Sequence, residues 1–259
     1  MKRYKDVTYD FSGKVAVITG ASSGIFKGVA VAYGEAGAKV ALTSNKNISG
    51  CEETKKLIEN AGSEARIYQC DVSQVSQIEN TVTQIIEDFG KIDVLINGAG
   101  VLIRSKSEEA KEEDWDFVMD VQSKGPFFLC KEVGRHMLER GEGGKIINTS
   151  SMLAWNGGYT VASYAAAKGA VTQFTKALCN EWAGKNINVN AVAPGYVVTR
   201  VTKPLFDDPV RGPQITARIP CGRWAEPEDM AGAFLFLGSE AADYVHGTIL
   251  PVDGGWLAR

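Results

Sequence analysis

Histidine is scarce in this chain: His136 and His246 are the only two in 259 residues. They stand too far apart, and too far from the motifs described below, to suggest a metal centre or a histidine-based nucleophile triad, so no metal is expected. The five cysteines (Cys51, Cys70, Cys130, Cys179, Cys221) are odd in number and include no Cys-x-x-Cys pair. Reduced core thiols are therefore expected rather than disulfides or a zinc site. No run of about 18 consecutive apolar residues occurs, so no membrane span is expected. The opening Met1-Lys2-Arg3-Tyr4-Lys5-Asp6 lacks the apolar stretch of a secretory signal, and a cytoplasmic location is expected. Basic runs and a positive tail are also missing, and the formal net charge is −3. That balance argues against general affinity for nucleic acid or for anionic membranes.

What is present fits one large α/β domain. The chain is 44% hydrophobic and 23% charged, an ordinary balance for a globular protein long enough to bury a substantial core. Short β-branched runs alternate with segments of helical period, the pattern of a doubly wound parallel sheet of about seven strands with helices on both faces. Strands are expected near 14–19, 39–43, 66–70, 93–96, 145–149, 187–192 and 248–252. Helices are expected near 24–36, 50–61, 74–89, 113–139, 163–183 and 227–238. In the helix over 163–183, Val171, Phe174, Leu178 and Trp182 recur at spacings of three and four, an inward stripe. Gly125-Pro126 interrupts the long helix before the fifth strand, where proline removes a backbone donor. Residues 1–10 read as an N-terminal extension and 11–259 as the domain. The segment near 200–220, with Pro204, Pro209, Gly212 and Pro213, breaks the alternation and reads as a substrate lid.

The chemistry concentrates at Ser163-Tyr164-Ala165-Ala166-Ala167-Lys168, with Ser151 upstream at the end of Ile146-Ile147-Asn148-Thr149-Ser150-Ser151. On a helix, positions i and i+4 share a face, so Lys168 stands beside Tyr164. A fixed cation there is expected to lower the phenol's pKa from about 10 and so make a base available near neutral pH. A Tyr-x-x-x-Lys spacing alone is common on helix surfaces. It gains meaning from the order of other motifs. Gly20-Ala21-Ser22-Ser23-Gly24-Ile25 follows the strand-like Val15–Thr19, Asn97-Gly98-Ala99-Gly100 follows Val94-Leu95-Ile96, and Pro194-Gly195-Tyr196-Val197-Val198-Thr199 follows Ile187–Val192. Gly20 and Gly24, at a strand-to-helix turn, let a backbone approach a pyrophosphate at a helix N-terminus.

From about residue 11 to the C-terminus these motifs resemble the short-chain dehydrogenase/reductase family. The resemblance implies an NAD(P)-dependent oxidoreductase that interconverts a secondary alcohol and a ketone. In it Tyr164 is the general acid/base, Lys168 tunes it and binds the nicotinamide ribose, and Ser151 bonds the reacting oxygen. Gly20, Ser22, Ser23, Gly24, Ile25, Asn97, Ala99, Pro194, Val197 and Thr199 would contact the dinucleotide. Asp71-Val72 resembles the pair that brackets the adenine, with an aspartate capping the following helix as the competing role. At the end of the second strand the family's usual acid for NAD is replaced by Ser44, followed by Asn45 and Lys46. These suit a 2′-phosphate, so NADP(H) is favoured with NAD(H) as the alternative; Lys46 also reads as a solvated loop residue.

Three positions depart from the family pattern. Phe26 stands where a third glycine is usual, Gly98 replaces an asparagine, and Gln122 replaces the asparagine of a water-linked proton relay with Lys168. At Phe26 either the loop is displaced or the ring turns away, with weaker pyrophosphate binding expected; Gln122 is expected to slow proton transfer, since an ångström of misplacement costs roughly a hundredfold in rate. These departures motivate a second reading, a degenerate homologue acting as an oligomeric structural or regulatory protein. Gly144–Asn148, Asn180-Glu181-Trp182-Ala183, Arg218-Ile219-Pro220 and the terminal Val252–Arg259 resemble the sugar-acid 5-dehydrogenases of the family, those acting on gluconate and 2-dehydro-3-deoxy-D-gluconate. A sugar acid, polyol or ketose is the implied small-molecule substrate, and a homotetramer or homodimer the implied assembly. The loop Trp155-Asn156-Gly157-Gly158-Tyr159, Trp155 and Asn156 foremost, together with Tyr196 and Arg104, is where substrate contacts are expected, Arg104 as a bidentate partner for a carboxylate or as a solvated surface residue.

Overall fold

The computed structural model describes residues 8–259. Its centre is a seven-stranded sheet in the order β3-β2-β1-β4-β5-β6-β7, parallel throughout. The strands are β1 (Val15–Thr19), β2 (Lys39–Ser44), β3 (Ala65–Gln69), β4 (Val94–Ile96), β5 (Gly144–Thr149), β6 (Ile187–Pro194) and β7 (Ile249–Val252). Every residue of β1 and β6 is buried, as a strand covered on both faces requires. On one face lie α1 (Gly24–Glu35), α2 (Ile48–Asn60) and, later in the chain, α10 (Pro227–Gly238), through Val29, Tyr33, Ile58 and Phe234. On the other lie α3 (Val75–Phe89), α5 (Gly125–Arg140) and α7 (Ala162–Trp182), through Ile78, Ile85, Val133 and Leu178. The strand order reverses between β1 and β4, which opens a crevice beyond the carboxyl ends of the strands.

The strands and the main helices lie where the periodicity placed them, with differences that have local causes. The single helix expected over 113–139 is broken into α4 (Glu112–Met119), a π-helical turn Asp120–Lys124, and α5. The backbone stays helical through Met119, Lys124 and Gly125, so Pro126 stands just past the wide turn inside a continuous helical run, where it has no N–H to donate to the preceding turn. The wide turn closes through the Gly125 N–H donating to Asp120 O, five residues back. It falls where Gly125 presses on Val72 O so closely that a Cβ would overlap it. The segment near 200–220, expected as a lid, carries two short helices, α8 (Lys203–Phe206) and α9 (Arg211–Arg218). Leu205, Ile215 and Ile219 pin it to Met152, Trp224 and Trp256 in a third apolar cluster. A short α6 (Leu153–Asn156), absent from the periodicity, precedes α7.

Of the five cysteines, Cys51, Cys70, Cys130 and Cys179 are buried free thiols, whereas Cys221 is exposed and departs from the expected core position. Burial pushes the Cys51 thiol up to about 11 and the Cys130 thiol up to about 12, which leaves both protonated and unreactive near neutral pH. No helix among the described residues is long and apolar enough to cross a membrane.

Phe26 and Gly98 prove to be one feature. The Phe26 ring turns away from the loop Gly20–Gly24 into the core, 8% exposed, and meets Phe234 edge-on with centroids 5.6 Å apart. It lies over Gly98, where an added Cβ would overlap the ring. The glycine thus makes the room that the phenylalanine fills, the second of the two alternatives for Phe26, and the ring's edge also lines the cavity described below. Phe26→Ala is expected to cost about 3–5 kcal/mol through the cavity it leaves, and Gly98→Asn about 1–3 kcal/mol through overpacking. In denaturant unfolding, the double variant should be more stable than the sum of the two losses by about 1–3 kcal/mol. Strict additivity would show that the two positions do not share that space.

Candidate active site

A cavity of about 240 Å³ opens at the carboxyl ends of β4, β5 and β6, between the main sheet and the α8–α9 segment. Ser151, Tyr164 and Lys168 all face it, together with Gln122, Val197 and Thr199. Ser151 follows β5, and its Oγ accepts from the Leu153 N–H at 3.2 Å, which fixes the side chain at the start of α6. Tyr164 and Lys168 are one turn apart in α7, the Lys168 Nζ 5.5 Å from the centre of the Tyr164 ring. The Ser151 hydroxyl lies near enough to the Tyr164 phenol to favour its charged form.

Electrostatically the site differs from the expectation that Lys168 draws the phenol downward. Burial pushes Tyr164 above its ordinary value, and the nearby Ser151 hydroxyl only partly opposes that. Lys168 is buried, 4% exposed, and burial pulls it down to about 7. Its Nζ donates to Thr149 O at 2.6 Å, so the ammonium is aimed at a main-chain carbonyl rather than at the phenol. The arrangement therefore holds a neutral phenol able to give a proton, a hydroxyl beside it, and a lysine poised to change charge near neutrality.

A buried hydrogen-bond chain supports these groups. Asn97 Nδ2 donates to Asn148 Oδ1 at 2.8 Å, Asn148 Nδ2 to Thr175 Oγ1 at 3.0 Å, and Thr149 Oγ1 to Asn97 O at 2.6 Å. Asn97, expected at the dinucleotide, is in this way a brace beneath the cavity rather than part of its lining. Gln122 is buried, and its Nε2 donates to Val101 O at 2.6 Å, holding the loop after β4 over Gly100. The longer arm that made it a doubtful relay member is what reaches this carbonyl.

The remaining residues expected at a dinucleotide lie along one line of strand ends. Gly20 has φ +71°, and a Cβ there would come within 2.8 Å of the Ala99 Cα, so only glycine lets β1 turn this closely past the loop after β4. Gly24 has φ +58° and opens α1, whose first turn Ser23 leaves without a side-chain cap. The helix start is thereby left open to an anion. Ile25, Ala99 and Pro194 line the cavity. Ser44 Oγ donates to Ser22 Oγ at 3.4 Å at the end of β2, while Lys46 is exposed beyond it. Asp71 Oδ1 accepts from the Ser73 N–H at 3.0 Å and its hydroxyl at 2.7 Å in a turn ahead of α3, which starts at Val75 without a side-chain cap, so Asp71 does not cap that helix; Val72 is buried beside it. The side chains present thus suit an extended phosphate-bearing ligand that runs from β3 across β1 to the cavity.

The expected substrate contacts divide. Arg104 and Tyr196 line the cavity, but Trp155 and Asn156 do not: α6 turns both outward, and Trp155 is 49% exposed. Gly158 and Tyr159 of the same expected loop do line it. Arg211, at the start of α9, also faces the cavity and was not foreseen, because nothing in the periodicity of 200–220 marks which of its residues point inward. Among the described residues no group of three His, Cys, Asp or Glu side chains could hold a metal.

The state of Tyr164 sets the sign of a pH dependence. A phenol pushed upward by burial remains protonated through neutrality, so kcat/KM for a ketone should hold near neutral pH and fall as pH rises past the ordinary tyrosine value of 10. The reverse oxidation, which needs the phenolate, should climb with pH over the same range. Initial-rate profiles in both directions check this; parallel slopes would mean that Tyr164 is not the titrating group.

Comparison with known proteins follows from this geometry. The sequence profile described as enoyl-(acyl carrier protein) reductase matches residues 20–257. A 2-dehydro-3-deoxy-D-gluconate 5-dehydrogenase of Bacillus subtilis is 43% identical over 256 residues, 99% of this chain and 99% of that protein. One of Dickeya dadantii is 44% identical over 252 residues, 97% of this chain and 98% of that protein. The crystal structure of a gluconate 5-dehydrogenase from Burkholderia cenocepacia, in complex with NADP and tartrate, superposes with a TM-score of 0.92 at 35% identity, covering 96% of this chain and 97% of that one.

Proposed function

Because the chain belongs to the short-chain dehydrogenase/reductase family, we propose that it is an NADP(H)-dependent oxidoreductase interconverting a secondary alcohol and a ketone of a sugar acid, with related polyols or ketoses as weaker substrates. The observation that carries this reading is the convergence of Ser151, Tyr164 and Lys168 on one cavity. Bound NADP(H) supplies or accepts the hydride. Tyr164 gives its proton to the carbonyl oxygen in reduction and takes it back in oxidation. Ser151 donates a hydrogen bond to that same oxygen, and Lys168, held by Thr149 O, has further N–H donors for the nicotinamide ribose.

Val197 and Thr199 hold the nicotinamide end, backed by Ile25, Ala99 and Pro194. The open start of α1 at Gly20, Ser22, Ser23 and Gly24 takes the pyrophosphate. Asp71 and Val72 flank the adenine. Ser44, Asn45 and Lys46 face the 2′-phosphate, and the lack of an acid at position 44 removes the charge that would repel it. The non-catalytic alternative loses its motive, since Phe26 packs into the core and Gln122 braces a loop. A homotetramer or homodimer in the cytoplasm completes the reading. It is supported by exposed Trp115, Phe117 and Phe127 on α4 and α5, Phe127 meeting Phe174 of α7 edge-on at 5.8 Å.

The direct test follows nicotinamide absorbance with NADP(H) or NAD(H) against a panel of gluconate, keto-gluconates, polyols and ketoses. Turnover of sugar acids is expected, and silence across the panel would reject the reading. Tyr164→Phe should lower kcat by about 10²–10⁴-fold while the Kd for NADPH stays within about twofold, because only the ionisable oxygen is removed. A second variant, Ser44→Asp, should shift the ratio of NADP to NAD affinities toward NAD by at least about tenfold, equivalent to 1.4 kcal/mol, as read by titration of both cofactors. Unchanged selectivity would remove Ser44-Asn45-Lys46 from the phosphate site.

A further inference from the structure

Two cations share the mouth of the cavity. Arg104 stands in the loop after β4, and Arg211 is the first residue of α9 on the α8–α9 segment; both line the same space. Their charges are close enough to be felt: Arg104 is pulled below its ordinary value by burial and then by the repulsion of Arg211. The phenol of Tyr196, between the main sheet and the segment, sits in the field of Arg211, Arg104 and Arg218 together. Other surface cations of the region are matched, Lys106 with Glu109, Lys203 with Asp207 and Arg223 with Asp229. Among the described residues neither Arg104 nor Arg211 is in such an ion pair. The acid nearest in sequence, Asp208, turns its carboxylate to the backbone, accepting from the N–H groups of Val210 at 2.9 Å and Arg211 at 2.7 Å. It lies within the field of Arg211 but leaves the guanidinium unpaired.

The side chain of Arg211 is also positioned. Its guanidinium carbon stands 5.3 Å from the centre of the Tyr159 ring, a stacking that links α9 to the loop between α6 and α7. Tyr159 is 72% exposed and lines the cavity too. Two like charges held at one opening, on separate elements and with no acid between them, raise the free energy of the closed arrangement. An anion bridging them removes that repulsion, and a carboxylate has the fork geometry that a guanidinium meets with two parallel hydrogen bonds.

We infer that Arg211 is a specificity-determining residue that joins Arg104 in clamping the carboxylate of the substrate, so that binding the acid fastens the α8–α9 segment over the cavity. This inference rests on the sugar-acid reading above and adds a second arm to it, carried by the segment that closes the site. It accounts for an opening that is cationic while the reacting end, at Tyr164 and Ser151, is neutral: the charged end of the substrate is held at the mouth and the hydroxylated carbon chain reaches inward.

The test compares the parent protein with Arg211→Ala and Arg211→Lys on 5-keto-D-gluconate and on an uncharged six-carbon ketose, with saturating NADPH. Arg211→Ala is expected to raise KM for the acid about 30- to 100-fold with kcat changed less than about fivefold, and so to collapse the preference for acid over neutral ketose. Arg211→Lys, which keeps the charge and loses the fork, should recover part of the KM. A fall in kcat with KM unchanged, an equal loss on both substrates, or no change would overturn the clamp while leaving the oxidoreductase reading intact. Should the parent protein turn over no sugar acid, that reading fails by itself, and the clamp is then decided by calorimetric titration of gluconate into the NADP-loaded protein. Binding that Arg211→Ala weakens at least tenfold upholds it, and no binding, or binding indifferent to the variant, overturns it.

Discussion

The buried hydrogen bonds that join Asn97, Asn148 and Thr175 hold the site in register. They tie the end of β4 to β5 and β5 to α7, while Thr149 Oγ1 returns a bond to Asn97 O and Thr149 O receives the Lys168 ammonium. The Asn97, Asn148 and Thr175 side chains are shut away from water, so losing one of the bonds between them would cost about 1–3 kcal/mol. That penalty is what makes the geometry stiff: α7 cannot slide along β5 without breaking several bonds at once. Ser151 on the strand side and Tyr164 on the helix side are therefore set against each other by a network that neither belongs to.

Sequence periodicity revealed the seven strands and most helices because short β-branched runs alternate with segments of helical period, and inner strands such as β1 and β6 are buried on both faces. Tyr164, Lys168 and Ser151 were legible for a different reason, their order among glycine-rich turns. What the sequence left unread depends on contacts between distant segments. The inward turn of Phe26 is visible only with Gly98 and Phe234 beside it. Arg211 sits in a segment whose prolines break the alternation, and its partner across the opening is more than a hundred positions earlier in the chain. The outward setting of Trp155 and Asn156 was likewise unread, because it depends on a single turn of helix, α6, and one turn is too short to leave a period.

Departures from a family pattern acquire their sign from neighbours. Taken one at a time, a phenylalanine for a glycine and a glycine for an asparagine each look like damage at a nucleotide site. Taken together they exchange volume across the gap between α1 and the loop after β4. Gln122 shows the same logic in a polar form, since its extra methylene carries the amide to Val101 O, a group that would otherwise lack this donor. A site of this kind tolerates change in pairs more readily than singly.

The π-helical turn at Asp120–Lys124 has a further consequence, one of phase. A helix advances about 100° per residue, so the residue accommodated by the wide turn sets the rotational setting of everything after it. With that setting, Leu129, Cys130, Val133 and Met137 of α5 face the sheet while Phe127 faces outward toward α7. Removing one residue from the turn would restore ordinary helical hydrogen bonding, yet it would swing the following helix by about a quarter turn and carry its apolar stripe off the sheet. The turn thus acts as a frame marker: it permits substitution within Asp120–Lys124 far more readily than a change in length, and chain length through this segment is a coordinate of the site in its own right.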